Sequence, residues 1–290
     1  MLRMPDLARN DPLSREWAWA GSTGAGVRVA IIDSGIQADH PDLGDVVDAA
    51  GGVYITVEGD DEVQITPGPH DDAFGHGTAC AGIVHQIAPE ASITSVRVLG
   101  PRLGGKVVAF LAGLEWAIEN GFDVINLSLG TNRREWALAF HELCDRAYFS
   151  GSLVVTAAAN VAKDTYPSLF SSVASVACNM SQDPLRYHFN PEPPTEFLAP
   201  GVDIEVSWRD SGRITATGNS YAAPHISGVA ALIKSKHPHL RPFQLKAALW
   251  AGAANVVDVP QAAGRLTTVF RETRLTRSHL ALRPPTAASS

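Results

Sequence analysis

Short runs rich in β-branched residues alternate with longer helix-like stretches along most of this chain. The strand-like runs cover residues 27–32, 93–99, 124–129, 153–157 and 173–177. The helix-like stretches cover residues 106–119, 135–148, 221–236 and 242–251. Strands that alternate with helices of this length are typical of βαβ units, in which helices cover both faces of a parallel sheet. The alternation therefore predicts an α/β fold with a mostly parallel central sheet.

Composition limits the classes of partner. The chain has 290 residues, of which 45% are hydrophobic and 18% charged, and these values are typical of a globular protein. The formal net charge of −7 argues against nucleic-acid binding as the main activity. No stretch of sequence is long and apolar enough to cross a membrane. We therefore expect neither nucleic acid nor membrane as a partner.

The cysteines and the first residues bear on the cellular compartment. Cys80, Cys144 and Cys178 are odd in number, widely spaced and without a CxxC pair, which favours free thiols in a reducing compartment. Residues 1–6 lack the apolar run of a secretory signal. Together these features predict a cytoplasmic protein.

Three regions are expected along the chain: an N-terminal extension over 1–16, one domain over 17–262, and a basic tail over 263–290. The tail is read either as a frayed, disordered end or as a docking arm for an acidic partner. Within the domain, residues 45–69 carry Asp, Glu, Gly and Pro, and predict a surface loop or a small hairpin.

Ser220 is the candidate nucleophile. It follows Gly218, precedes Ala222 and Ala223, and stands at the entry to an apolar helix-like stretch. Small neighbours leave a hydroxyl accessible, and the N-terminus of a helix favours a developing negative charge. The competing interpretation is a helix N-cap, which explains many serines in this position.

A serine hydroxyl needs a base, and His76 is the strongest candidate among ten histidines. It stands in Phe74-Gly75-His76-Gly77-Thr78, where flanking glycines let a side chain project into a cleft. His40, His225 and His237 each neighbour a proline and are read as structural or surface residues.

Two further polar residues follow predicted strands and so lie where ligands of parallel sheets bind. Asp33 ends an apolar run, where a bond to an imidazole N–H would satisfy its carboxylate; capping of the next turn is the alternative. Asn160 follows Ala157-Ala158-Ala159 and can donate a side-chain N–H to an oxyanion; a turn asparagine is the alternative. Asp39, Asp42 and Asp45 are expected to be solvated.

Several segments together, in this order, resemble the subtilisin-like (S8) serine peptidases, the subtilases. They are residues 29–35, 40–43, 76–78, 126–130, 157–160, 199–201 and 218–225, within a match from about Trp17 to about Leu249. The resemblance implies a subtilisin-like three-layer α/β/α fold and serine endopeptidase activity. It implies the triad Asp33, His76 and Ser220, with Asn160 as oxyanion donor.

The resemblance also implies a substrate site. Residues Ser128, Leu129 and Gly130 resemble the strand that pairs with substrate backbone. The pocket for the side chain before the scissile bond would be lined by Ala158 and Ala159, with Thr165 at its floor.

The chain departs from the family pattern at several positions. Asn219 and Tyr221 replace the usual Thr and Met around the nucleophile, and Ala159 stands where a glycine is usual, which narrows the pocket. Cys80 follows the histidine segment as in thiol-containing subtilases, which predicts sensitivity to mercurials; a purely packed cysteine is the alternative.

Two family features are missing from the sequence. The calcium-binding insertion after the histidine helix is absent between Gly82 and Ala91, so we expect no cofactor and no tight calcium, although residues 42–48 are acidic enough for a weak ion. The domain is expected to begin within about twenty residues of Met1, without an inhibitory prodomain before it. An unrestrained cytoplasmic protease would be toxic, so narrow specificity, a controlling partner or low intrinsic activity is implied. As partners beyond the substrate we expect a regulatory protein or a second copy of the chain in a homo-oligomer.

The leading hypothesis is a processing endopeptidase of restricted specificity that acts on a peptide or protein substrate. Two alternatives stay open. One is a peptide macrocyclase or transpeptidase on the same fold, and the other is a catalytically silent binding module that uses the strand edge at 128–130.

Overall fold

The computed structural model describes residues 13–59, 61–161, 163–257 and 269–270. Within them, nine strands form one sheet in the spatial order β3-β2-β4-β1-β5-β6-β7-β9-β8. The strands are β1 (Arg28–Asp33), β2 (Val53–Glu58), β3 (Glu62–Pro67), β4 (Ser92–Arg97), β5 (Val124–Leu127), β6 (Leu153–Ala157), β7 (Ala174–Asn179), β8 (His188–Phe189) and β9 (Phe197–Pro200). Pairing is parallel from β2 to β9, and only the edge strands β3 and β8 run antiparallel to their neighbours. The predicted α/β class and mostly parallel sheet are confirmed.

Helices cover both faces of this sheet. They are α1 (Arg15–Trp19), α2 (His76–Ile87), α3 (Val107–Glu119), α4 (Ala137–Ser150), α5 (Asn219–Lys236) and α6 (Pro242–Gly252). Alternate residues of β1 face opposite cores: Val29 and Ile31 pack with α2 and α5, whereas Ala30 and Ile32 pack with α3 and α4. A strand buried on both faces reads as a continuous apolar run, and this is why the sequence identified β1.

Two antiparallel hairpins lie outside the predicted alternation. Residues 45–69 contain β2 and β3, so the small-hairpin alternative is the one the structure shows, and it extends the main sheet through β4. The second hairpin pairs β10 (Ile204–Trp208) with β11 (Gly212–Ala216) and contacts α2. The last short strands are β12 (Val256–Val257) and β13 (Val269–Phe270). The rest of the predicted basic tail lies outside the described residues.

No helix in the described part of the chain combines the length and apolarity that crossing a membrane requires.

Candidate active site

Asp33 is the last residue of β1, and its side chain is fully buried. Both carboxylate oxygens lie 2.8 Å from Nδ1 of His76. Oδ1 also accepts the main-chain N–H of Ser34 at 2.7 Å. Asp33 therefore caps the next turn and also contacts the imidazole, because Oδ1 accepts the N–H of Ser34 while both oxygens lie close to Nδ1 of His76.

His76 is the first residue of α2, and its imidazole is 5% exposed. Nε2 lies 2.9 Å from Oγ of Ser220, so the ring bridges Asp33 and Ser220. Steric constraints explain why glycines stand on both sides of His76. Gly75 has φ +118°, and a Cβ there would strike the ring of Trp208; a Cβ on Gly77 would strike the carbonyl of Gly35. Both glycines are needed for the backbone that places the ring.

Two opposing effects act on the pKa of His76. Burial lowers this pKa because it disfavours the charged imidazolium, and the Asp33 carboxylate raises it. Burial is the largest single effect, but the charge and the hydrogen bond of Asp33, together with Cys80, outweigh it, and the pKa of His76 is raised well above its ordinary range. The Asp33 carboxylate therefore stabilises the protonated form of the His76 ring.

Ser220 is the second residue of α5, and the N-cap position belongs to Gly218. The N-cap interpretation of Ser220 is therefore wrong, since its hydroxyl lies against His76 instead of capping the helix. The first turn of α5 carries main-chain N–H groups that have no partner within the helix, and these favour negative charge close to the serine.

Asn160 lies three residues beyond β6 and beside the start of α5. Its Oδ1 accepts the main-chain N–H of Asn219 at 2.9 Å. This bond fixes the amide, and within the described residues its Nδ2 donates to no other group. The remaining N–H donors can serve an oxygen that carries negative charge in the cleft.

Asn219 and Tyr221, the unusual neighbours of Ser220, both have structural contacts. Asn219 donates to the carbonyls of Ala159 at 2.9 Å and Ala158 at 3.2 Å, and accepts the N–H of Cys178 at 2.8 Å. It thereby joins α5 to the ends of β6 and β7. The Tyr221 ring lies 5.0 Å from the His76 ring, at an angle of 51° between the ring planes.

Cys80 is fully buried beneath the Asp33–His76 pair. Its Sγ lies 3.8 Å from Oδ2 of Asp33 and 3.9 Å from Nδ1 of His76. Burial raises the pKa of this thiol, so it stays protonated. Within the described part of the chain, these three residues are the only group of three or more metal-ligating side chains whose donor atoms lie close together.

The expectation that Asp42 is solvated is wrong. Its carboxylate accepts from Arg213 at 2.6 and 3.0 Å and from Ser207 at 2.8 Å. These bonds hold the pKa of Asp42 below its ordinary value. A weak ion in the stretch 42–48 would have to compete with Arg213 for this carboxylate.

Asp72 is a residue that the sequence interpretation missed. It is 7% exposed, and Oδ1 accepts from Ser34 Oγ at 2.7 Å and from Gly75 N at 2.7 Å. Its Oδ2 accepts both the N–H (2.8 Å) and the hydroxyl (2.7 Å) of Thr78. One buried carboxylate thus ties the turn after Asp33 to the first turn of α2. Its position four residues before His76 is the only signal that the sequence carries.

The predicted substrate residues fall into two groups. The β5–β6 ladder ends at Leu127–Thr156, and the next contact between the two segments is a bridge from Thr131 to Tyr166. The chain between these contacts borders a cavity of about 800 Å³, and Gly130, Ala159 and Thr165 line it. Ser128, Leu129 and Ala158 do not line this cavity. The side chain of Ser128 points inward and donates to the carbonyl of Ser220 at 2.9 Å.

The side chains of this cavity include apolar and charged groups. Those that the prediction did not name include Val108, Phe110, Trp136, Val161, Lys106, Arg133 and Lys163. They come from α3, from the segment before α4 and from the loop after Asn160, so no single motif brought them together.

The sequence is similar to known peptidases over most of its length. The model of the subtilase family matches residues 24–273. Subtilisin DY of Bacillus licheniformis is 34% identical over 253 residues, covering 82% of this chain and 87% of the relative. The minor extracellular protease Epr of Bacillus subtilis is 34% identical, but only 38% of its length is covered. The thermostable alkaline protease of Halalkalibacterium halodurans is 35% identical, with 62% of its length covered.

Solved structures show the same likeness. A cold adapted subtilisin-like serine proteinase superposes with a TM-score of 0.65 at 28% identity, covering 86% of this chain and 88% of that one. A structure described as the S41 psychrophilic protease superposes with a TM-score of 0.66 at 27% identity, covering 79% and 83%. The chain therefore belongs to the subtilase family and is a serine endopeptidase.

Proposed function

We propose that Ser220 is the acylating nucleophile of this peptidase, with His76 as general base and Asp33 as the carboxylate that orients the imidazole. The observation that carries the proposal is the continuous chain of bonds from Asp33 through His76 (2.8 Å) to Ser220 Oγ (2.9 Å). His76 takes the hydroxyl proton as Ser220 attacks the scissile carbonyl, and returns it to the leaving amine.

The oxyanion of the tetrahedral intermediate is assigned to two donors, the Nδ2 amide of Asn160 and the main-chain N–H of Ser220. Asn160 is held for this role by its own bond to the N–H of Asn219. A donor that is already oriented needs no reorganisation during the reaction, and this is the source of its catalytic effect.

Substrate backbone is assigned to the open edge at residues 128–130, and the side chain before the scissile bond to the cavity beside it. Three features support restricted specificity. The Ala159 methyl group lines this cavity, Thr165 lines it too, and the Thr165 hydroxyl is bonded to Ser168 at 2.8 Å. These groups reduce the room available to a large side chain.

The proposed role is a cytoplasmic processing peptidase with a narrow choice of peptide or protein substrate. The absence of any disulfide among Cys80, Cys144 and Cys178 supports a reducing compartment.

The test is digestion of a diverse peptide library by the wild type and by Ser220→Ala, followed by mass spectrometry. We expect cuts within a narrow sequence motif that disappear in Ser220→Ala. Broad cutting at many unrelated bonds would refute restricted specificity. Cutting that survives in Ser220→Ala would refute Ser220 as the nucleophile.

A further inference from the structure

The main-chain carbonyl of Ser220 lacks the partner that a helix ordinarily supplies. In an α-helix each carbonyl accepts from the N–H four residues later. Four residues after Ser220 stands Pro224, inside α5, and proline has no N–H. The carbonyl instead accepts from Ser128 Oγ at 2.9 Å, and the Cys80 thiol lies 3.7 Å away. The backbone of Ser220 is therefore held from outside its own helix.

Ser128 is itself part of a buried chain of hydrogen bonds. Asn126 Nδ2 donates to Ser128 Oγ at 2.9 Å, and Ser227 Oγ donates to Asn126 Oδ1 at 2.9 Å. Asn126 and Ser227 are fully buried, and Ser128 is 7% exposed. The chain starts and ends on α5 and passes through β5, so it clamps the helix that carries Ser220 onto the central sheet.

The direction of every bond in this chain follows from the carbonyl at its end. A carbonyl can only accept, so the single proton of Ser128 must point to Ser220. Ser128 can then only accept from Asn126, which turns the amide oxygen of Asn126 toward Ser227. The alternative acceptor for the Ser227 proton, the carbonyl of Ala223, is farther away at 3.3 Å.

We propose that Ser128, Asn126 and Ser227 are positioning residues that fix the peptide of Ser220 and hold its Oγ in line with His76. The inference rests on the proposed role of Ser220 as nucleophile. Small misplacements of a reacting group slow the chemical step strongly. These side chains bond to one another and to the backbone of α5, and none of them lines the cavity, so their loss should lower kcat while KM changes little.

The sharpest test compares Ser128→Thr with Ser128→Val. The two replacements enlarge the side chain equally, but only threonine keeps a hydroxyl that can donate to Ser220. We expect kcat of Ser128→Thr to exceed that of Ser128→Val by about tenfold or more, with KM values within about twofold of each other. Equal kcat values in the two folded variants would overturn the proposal.

Asn126→Asp tests the direction of the chain without changing its shape. A carboxylate at residue 126 accepts the Ser128 proton and so withdraws the donor from the Ser220 carbonyl. We expect kcat to fall by about tenfold. The control is Thr156→Val, because the buried Thr156 hydroxyl lies opposite Leu127 in the next strand and has no partner among the described residues. This control should keep wild-type kcat.

If the substitutions at 126 and 128 prevent folding, Ser227→Ala tests the positioning role instead, since it removes only one hydroxyl at the far end of the chain of hydrogen bonds. A fall in kcat at constant KM supports the positioning role, and wild-type kcat in the folded variant refutes it. Ser220→Ala is assayed in parallel. Activity that survives in Ser220→Ala contradicts the proposed function itself, whereas its loss leaves the 126, 128 and 227 variants to judge the positioning role alone.

Discussion

Asp33 and His76 are buried, and each polar side-chain atom of the pair has a bonded partner, whereas the wall of the cavity includes solvent-exposed groups. On that wall Val161 is 62% exposed, and Ala159 contributes only a methyl group. Buried polar groups must be satisfied in one arrangement, but exposed groups can be replaced without loss of the fold. Under the proposed assignment, the catalytic groups lie in the core and the groups that select the substrate lie at the surface.

The largest expected effect comes from a change in the buried pair of Asp33 and His76. Asp33→Asn keeps the shape of the side chain but removes the charge that holds the Nδ1–H tautomer of His76. We expect kcat to fall by about 10⁴-fold, the loss known for triad carboxylates of other serine proteases. Steady-state kinetics with one good peptide substrate checks this, and a loss below about tenfold would contradict the role given to Asp33.

The pH profile measures the same pair in the wild type. Only neutral His76 can act as a base, and its raised pKa extends the protonated form to higher pH than in an ordinary histidine. We expect kcat/KM to rise with pH and its acid limb to lie above about pH 6.5, the ordinary histidine value. An acid limb near pH 5 would show that burial, and not Asp33, dominates.

Asn160→Ala is expected to have the next largest effect. It should lower kcat by about 10²–10³-fold with little change in KM, as found for the corresponding donor of subtilisin. Asn120→Ala is the control, because among the described residues its side-chain amide bonds only to the carbonyl of Trp116 in α3. A parallel rise in KM would instead assign Asn160 to ground-state binding.

Asp72→Asn tests the buried carboxylate that supports the His76 turn. An amide at residue 72 would place its own N–H groups against the N–H and O–H groups that donate to the carboxylate. Because donors cannot bond to donors, we expect a loss of about 3 kcal/mol in the free energy of unfolding. Urea denaturation measures this, with the exposed neighbour changed in Asp71→Asn as control. Equal stability of the two variants would show that the five bonds to Asp72 are not needed.

The smallest effect on catalysis is expected from a change in the wall of the cavity. Ala159→Gly removes one methyl group from the cavity wall and should raise kcat/KM for peptides with a large residue before the scissile bond by about tenfold. Rates for peptides with a small residue there should change little. If both kinds of peptide respond alike, Ala159 does not set the specificity.

The same contrast explains what the sequence could predict. Asp33, His76, Ser220 and Asn160 each stand in a local motif at the end of a strand or the start of a helix, and the structure brings all four together. The bond from Arg213 to Asp42 joins residues 171 positions apart, so no local pattern could reveal it. The contacts of Asp72 and Asn219 also depend on tertiary packing. The side chains of the cavity wall come from α3, from the segment before α4 and from the loop after Asn160, and together they follow no single periodicity.

Labelling with a fluorophosphonate probe, followed by mapping of the adduct by mass spectrometry, tests the assignment of Ser220 as nucleophile most directly. Because His76 activates a single serine hydroxyl, we expect one adduct, on Ser220, whose rate of formation falls sharply in His76→Ala. No adduct in the folded wild type, or an adduct on another serine, would contradict the assignment of Asp33, His76 and Ser220 as the catalytic unit.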